Sequence, residues 1–126
     1  MPKDTPLAGA RILVAEDNAI QALDLKLLLQ SAGAEVIGPA KTVAEVQALA
    51  KAPNLTYAVL DVLLRHEYVF PAARVLQDGG VAIIFHTGTF VESIRRDWPV
   101  AQVVAKPAPP EALLQAIRAA ACAVGE

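Results

Sequence analysis

Five side chains suited to phosphoryl chemistry stand at the carboxyl ends of four apolar runs. Glu16 and Asp17 follow Ile12-Leu13-Val14-Ala15, and Asp61 follows Ala58-Val59-Leu60. Lys106 follows Val103-Val104-Ala105, and the run Val81–Phe85 leads into His86-Thr87-Gly88. Carboxylates crowded together repel unless a cation joins them. Magnesium is such a cation, since it takes carboxylates, a carbonyl, waters and a phosphate oxygen. Glu16, Asp17 and Asp61 are therefore the candidate Mg²⁺ ligands, with the backbone carbonyl of Leu63 as a further one. Asp61 stands alone after the central run and is the candidate nucleophile, forming an acyl phosphate. Lys106 offers a compact positive charge to phosphoryl oxygens, and the Thr87 hydroxyl offers a hydrogen bond. Gly88 leaves its backbone open beside the incoming group.

These residues need elements that bring strand ends together. Apolar runs at 11–15, 35–38, 57–60, 81–85 and 101–105 read as strands, the second ended by Pro39. Between them, Asn18 caps a helix over about 19–32 that ends at Gly33, with Ile20, Leu23 and Leu27 on one face. Thr42-Val43-Ala44-Glu45 is a capping box opening a helix that turns Val46, Leu49 and Ala50 inward. Short helices follow at 71–77 and 90–97, and Pro109-Pro110-Glu111 opens the last, with Leu113, Ile117, Ala120 and Val124 at helical spacing. The strands are nearly continuous in apolar residues, so both sheet faces are buried. The expected fold is α/β: a doubly wound (βα)5 five-stranded parallel sheet in which ligands bind beyond the carboxyl ends of the strands. Residues 1–9 read as a loose arm and 10–124 as the domain.

Composition narrows the function. The chain has 126 residues, enough for one domain with its own core, and a net charge of −2, which gives no footprint for nucleic acid. Its one cysteine, Cys122, excludes zinc clusters and disulfide frameworks, fits a reducing cytoplasm and is expected to pack as a small hydrophobe. The polar start lacks the apolar core of a signal peptide, and no run approaches the length of a membrane span.

Over residues 10–122 the chain resembles the receiver domains of bacterial two-component response regulators, a CheY-like, flavodoxin-like fold with sheet order 2-1-3-4-5. That likeness implies Mg²⁺ on Glu16 and Asp17, phosphorylation of Asp61, Thr87 as switch hydroxyl and Lys106 as the lysine contact. It implies a phosphoryl donor, either a sensor histidine kinase or a histidine phosphotransfer protein, and an unknown downstream protein. Phe85-His86-Thr87-Gly88-Thr89-Phe90 further looks like the Phe-Ala-Thr-Gly-x-Tyr motif of FAT GUY receivers, often single domains paired with HWE-type kinases in alphaproteobacteria. Such a chain is no enzyme toward other molecules. It signals by altered protein binding or acts as a phosphate sink, as a monomer or a weak phosphorylation-dependent dimer.

Some positions depart from the common receiver pattern. Val103 replaces the aromatic that usually swings inward, leaving Phe90 as the nearest substitute. Leu63, where side chains tune water attack, is expected to exclude water. His66 reads as a solvated loop residue, and Trp98 as a lid over a short, mobile fourth helix. Two other readings use the same fold. A pseudo-receiver would need a defective acid cluster, and a flavodoxin-like nucleotide or flavin protein would need a phosphate loop where Glu16-Asp17 stands.

Overall fold

Side-by-side pairing of five apolar strands organises the chain. A computed structural model describes residues 5–124, with side chains as far as Ala121. The parallel strands are β1 (Arg11–Ala15), β2 (Glu35–Ala40), β3 (Tyr57–Leu60), β6 (Ala82–Thr87) and β7 (Gln102–Ala105). Their order is β2-β1-β3-β6-β7, the expected 2-1-3-4-5 arrangement once the parallel strands alone are counted. A small antiparallel hairpin of β4 (Leu63–Leu64) and β5 (Glu67–Tyr68) stands apart from this sheet.

Alternation along each strand feeds two cores. Leu13, Ala58, Leu60, Ile83 and Phe85 face α2 (Val43–Leu49), α3 (Phe70–Asp78) and α4 (Val91–Asp97). Ile12, Val14, Val59, Ile84 and Val104 face α1 (Ala19–Ser31) and α5 (Pro110–Val124). Consecutive strand residues point to opposite faces, which is why the runs carry almost no polar residue before their ends. The pairing of β2 with β1 shifts register beside Gly38, whose φ is +107°. A Cβ there would lie 2.8 Å from the Ala40 nitrogen and 2.9 Å from the Val14 oxygen, so only glycine fits.

Several expectations change. Ile20, Leu23 and Leu27 are not the buried face of α1. They are 74%, 54% and 54% exposed, and Ala22, Leu25 and Leu29 pack inward instead. The expected loose arm does not hold for residues 5–9, which form a turn: Leu7 is buried, and its N–H donates to the Ala32 carbonyl. Residues 1–4 and the Cys122 side chain lie outside what is described. Trp98 is not a lid. It is buried among Phe85, Phe70 and the Arg74 guanidinium, with ring centroids 5.0 Å from Phe85 and 5.9 Å from Phe70. Through Trp98 and the buried Ile94, α4 is anchored to the core.

The hairpin turns through Arg65 and His66 at φ of 49° and 73°. A two-residue hairpin loop with both φ values positive favours Asn-Gly, and other side chains are strained there. The double substitution Arg65→Asn, His66→Gly should therefore stabilise the fold by about 1 kcal/mol. A urea midpoint that stays level or falls would show that the turn stores no strain.

Candidate functional site

Pairing of the strands brings the ends of β1, β3, β6 and β7 to one edge. Leu60 lies beside both Ala15 and Phe85, so Asp61 emerges next to the Glu16-Asp17 pair. Thr87 lies beside Ala105, and the Lys106 N–H donates to the Thr87 carbonyl at 2.9 Å, which sets Lys106 next to Thr87. One carboxylate oxygen from each of Glu16, Asp17 and Asp61 falls within 4.8 Å of the others. That convergence suits a divalent cation bound through oxygens.

Each carboxylate is held by a specific donor. Glu16 is buried, and its Oε2 accepts from the Asn18 N–H at 3.1 Å. Asp61 Oδ1 accepts from the Val62 N–H at 2.7 Å. Asp17 Oδ2 accepts from the Arg65 N–H at 2.9 Å, so the hairpin turn reaches back onto the acid pair. Lys106 Nζ bridges the acids, 2.8 Å from Glu16 Oε1 and 3.0 Å from Asp61 Oδ2. Burial raises the Glu16 pKa; the Lys106 and Asn18 hydrogen bonds oppose this only partly. Burial works to lower the Lys106 pKa, but its hydrogen bonds to Glu16 and Asp61 outweigh that and lift it above the ordinary value. Lys106 thus stays cationic, while burial makes the Glu16 charge costly.

No protein-family model and no curated protein matches the sequence. Solved structures do. SdrG from Sphingomonas melonis Fr1 is 28% identical, with a TM-score of 0.76 over 88% of this chain and 95% of that one. The response regulator PhyR from Brucella abortus is 26% identical with a TM-score of 0.77; 93% of this chain spans only 50% of PhyR. CheY in the CheX-CheY-BeF3-Mg+2 complex from Borrelia burgdorferi reaches a TM-score of 0.82 at 16% identity, over 93% of this chain and 97% of that one. Receiver domains of response regulators recur among the other matches. The chain has the response-regulator receiver fold.

In this receiver fold β6 runs two residues further than the sequence suggests, so His86 and Thr87 are its last residues rather than a following loop. Thr87 is buried, and its Oγ1 accepts from the Thr89 N–H at 3.2 Å. His86 points to the opposite face, into a cavity of about 530 Å³ shared with Leu25, Leu113 and Lys106. Its Nδ1 is buried and finds no partner among the described residues. Gly88 is not sterically required, because a Cβ there meets nothing nearer than the Lys106 Cβ at 3.8 Å. Phe90, beyond Thr87, is exposed at φ 59° and meets the Tyr68 ring edge-on at 5.9 Å. Val103 is half-buried against the α2–α4 core. Leu63 sits in β4, two residues past Asp61, with its side chain 41% exposed, and His66 is exposed as expected.

Sequence reasoning missed three contributors: Thr89 on Thr87, the Arg65 amide on Asp17, and Gln21 on Lys106. Gln21 carried a usable signal, being a polar residue in the first turn of α1, the helix that leaves the Glu16-Asp17 pair.

Burial lowers the His86 pKa, the Lys106 charge lowers it further, and Asp61 offsets part of this. A depressed histidine favours the folded state while it is neutral. Its contribution is present above the ordinary value of 6.5 and is lost as pH falls below it. Between pH 7.5 and about 5.5 the wild type should therefore lose more urea stability than His86→Asn. Identical losses would show that His86 titrates alike folded and unfolded.

Proposed function

We propose that this chain is a response-regulator receiver module that accepts a phosphoryl group on Asp61 and signals through protein contacts. The observation that carries the reading is the bridge Lys106 makes between Glu16 and Asp61, inside a cluster of three acids at the carboxyl edge of the sheet. An intact cluster of this kind argues against a pseudo-receiver. Acids directly after β1, rather than a phosphate loop, argue against a nucleotide or flavin site.

In this reading Glu16, Asp17, Asp61 and the Leu63 carbonyl would hold Mg²⁺, which neutralises charge on the phosphoryl oxygens when bound. Asp61 is the nucleophile. Lys106 supplies a fixed positive charge, and the Thr87 hydroxyl donates to a phosphoryl oxygen. The chain's chemistry stops at its own phosphorylation and dephosphorylation. Its donor would be a sensor histidine kinase, HWE-type if the likeness of residues 85–90 to FAT GUY receivers extends to function, or a phosphotransfer protein. Exposed Ile20, Leu23 and Leu27 on α1 give such a protein an apolar surface next to the acid edge. The Phe90 ring against Tyr68 is the nearest output element to Thr87.

Beryllofluoride, which bonds to a carboxylate oxygen as a phosphoryl analogue, tests the reading. A bound fluorine NMR signal should need both Mg²⁺ and the Asp61 carboxylate. No bound signal in the wild type, or one retained in Asp61→Asn, would overturn it.

A further inference from the structure

Lys106 has a third partner that the acid cluster does not explain. A lysine ammonium has three N–H donors. Here they meet Gln21 Oε1 at 2.7 Å, Glu16 Oε1 at 2.8 Å and Asp61 Oδ2 at 3.0 Å. The shortest contact is to a neutral amide. Gln21 itself is well placed, because its N–H donates to the Asn18 side chain at 3.0 Å in the N-terminal cap of α1. It lines the same cavity as Leu25, Leu28 and Leu113.

Resting on the phosphoryl-acceptor reading, we propose that Gln21 is a positioning residue for transfer to Asp61. In the step itself an Asp61 carboxylate oxygen forms a bond to the phosphorus of the donor. The bond from phosphorus to the donor's leaving group breaks, and the electron pair departs with that group, acetate when acetyl phosphate is the donor. No proton moves to or from Lys106. The Asp61 oxygens lose charge as this happens and become weaker acceptors for the ammonium. That leaves the flexible lysine stem less restrained. The Gln21 contact does not change charge during the step, so it holds the ammonium where a donor released by Asp61 can meet a phosphoryl oxygen. Orientation fixed before reaction removes an entropic cost at the transition state. An amide does this without cancelling the positive charge that the phosphoryl group needs.

The test is phosphorylation by acetyl phosphate with Mg²⁺, followed as rate against donor concentration, for wild type, Gln21→Met and Gln21→Glu. Gln21 is exposed, so the variants should fold, and circular dichroism melting checks this. Gln21→Met should lower the maximal rate about tenfold, as expected when a hydrogen bond to a charged group is lost. Half-saturation should stay level. The Lys106 ammonium cross-peak in ¹H–¹⁵N NMR should be visible in wild type and Gln21→Glu, which keeps an acceptor oxygen, and broadened in Gln21→Met. A Gln21→Met protein with wild-type rate and cross-peak overturns the positioning role while leaving Asp61 as acceptor. A wild type that takes no phosphoryl group overturns both.

Discussion

Replacing Trp98 by alanine should destabilise the domain by about 3–5 kcal/mol, the range for deleting a buried aromatic side chain. The indole is 6% exposed and fills the space where α3, α4 and the end of β6 meet. It meets Phe85 edge-on at 5.0 Å, stacks on Phe70, and carries the Arg74 guanidinium 4.0 Å from its ring. Such aromatic pairs add about 0.5–1.5 kcal/mol beyond area burial. A domain of this size has a total stability on the order of 5–15 kcal/mol, so the variant should sit near its unfolding threshold at 37 °C. Trp98→Phe keeps most of the volume and should cost less than half as much. Urea unfolding followed by circular dichroism reads both. A loss under 1 kcal/mol for Trp98→Ala would mean the ring is a surface cover after all.

Glu16→Gln should do the opposite to stability while removing function. Burial holds the Glu16 carboxyl above its ordinary value, and Asp61 adds repulsion. A carboxyl with a raised folded pKa favours the folded state only while protonated. Its contribution is present below the unfolded value of about 4.5 and is lost as pH rises through the folded one. Above the folded value the charged side chain is therefore a burden, offset in part by Lys106. The isosteric amide should stabilise the metal-free protein by on the order of 1 kcal/mol, a rise of a few degrees in Tm. The gain should shrink as pH is lowered toward 4.5. Mg²⁺ should then raise the Tm of the wild type but barely move that of Glu16→Gln, since a ligand stabilises only a fold that binds it. A lower Tm for the amide at pH 7 would mean that the bridge to Lys106, not burial, dominates at Glu16.

The site was more legible in the sequence than the surfaces around it. Strands buried on both faces leave long apolar runs, and the polar residue that ends each run marks the carboxyl edge of the sheet, so Glu16, Asp17, Asp61, Thr87 and Lys106, which the fold gathers there, could be picked out by type and order. Helix α1 could not be oriented this way. It carries apolar side chains on several sides, and the choice of Ala22, Leu25 and Leu29 over Ile20, Leu23 and Leu27 rests on packing against the sheet and α5. The β4–β5 hairpin was missed because its strands have only two residues each and its turn lacks Asn or Gly. Trp98 was misread because its partners Phe70 and Phe85 are distant in sequence, and only the fold brings them together. The loose-arm reading of residues 1–9 missed Leu7: a lone leucine in a polar, proline-bearing start has no periodicity to reveal its packing beneath the end of α1.

Whether Asp61 takes a phosphoryl group is tested most directly by intact mass after incubation with acetyl phosphate, with and without Mg²⁺, for wild type and Asp61→Asn. The geometry of Lys106, Glu16 and Asp61 leads to one added phosphoryl group in the wild type with Mg²⁺, and none without the metal or in Asp61→Asn. Addition that persists in Asp61→Asn, or a wild type that stays unmodified by acetyl phosphate and by purified histidine-phosphorylated donor proteins alike, would contradict it.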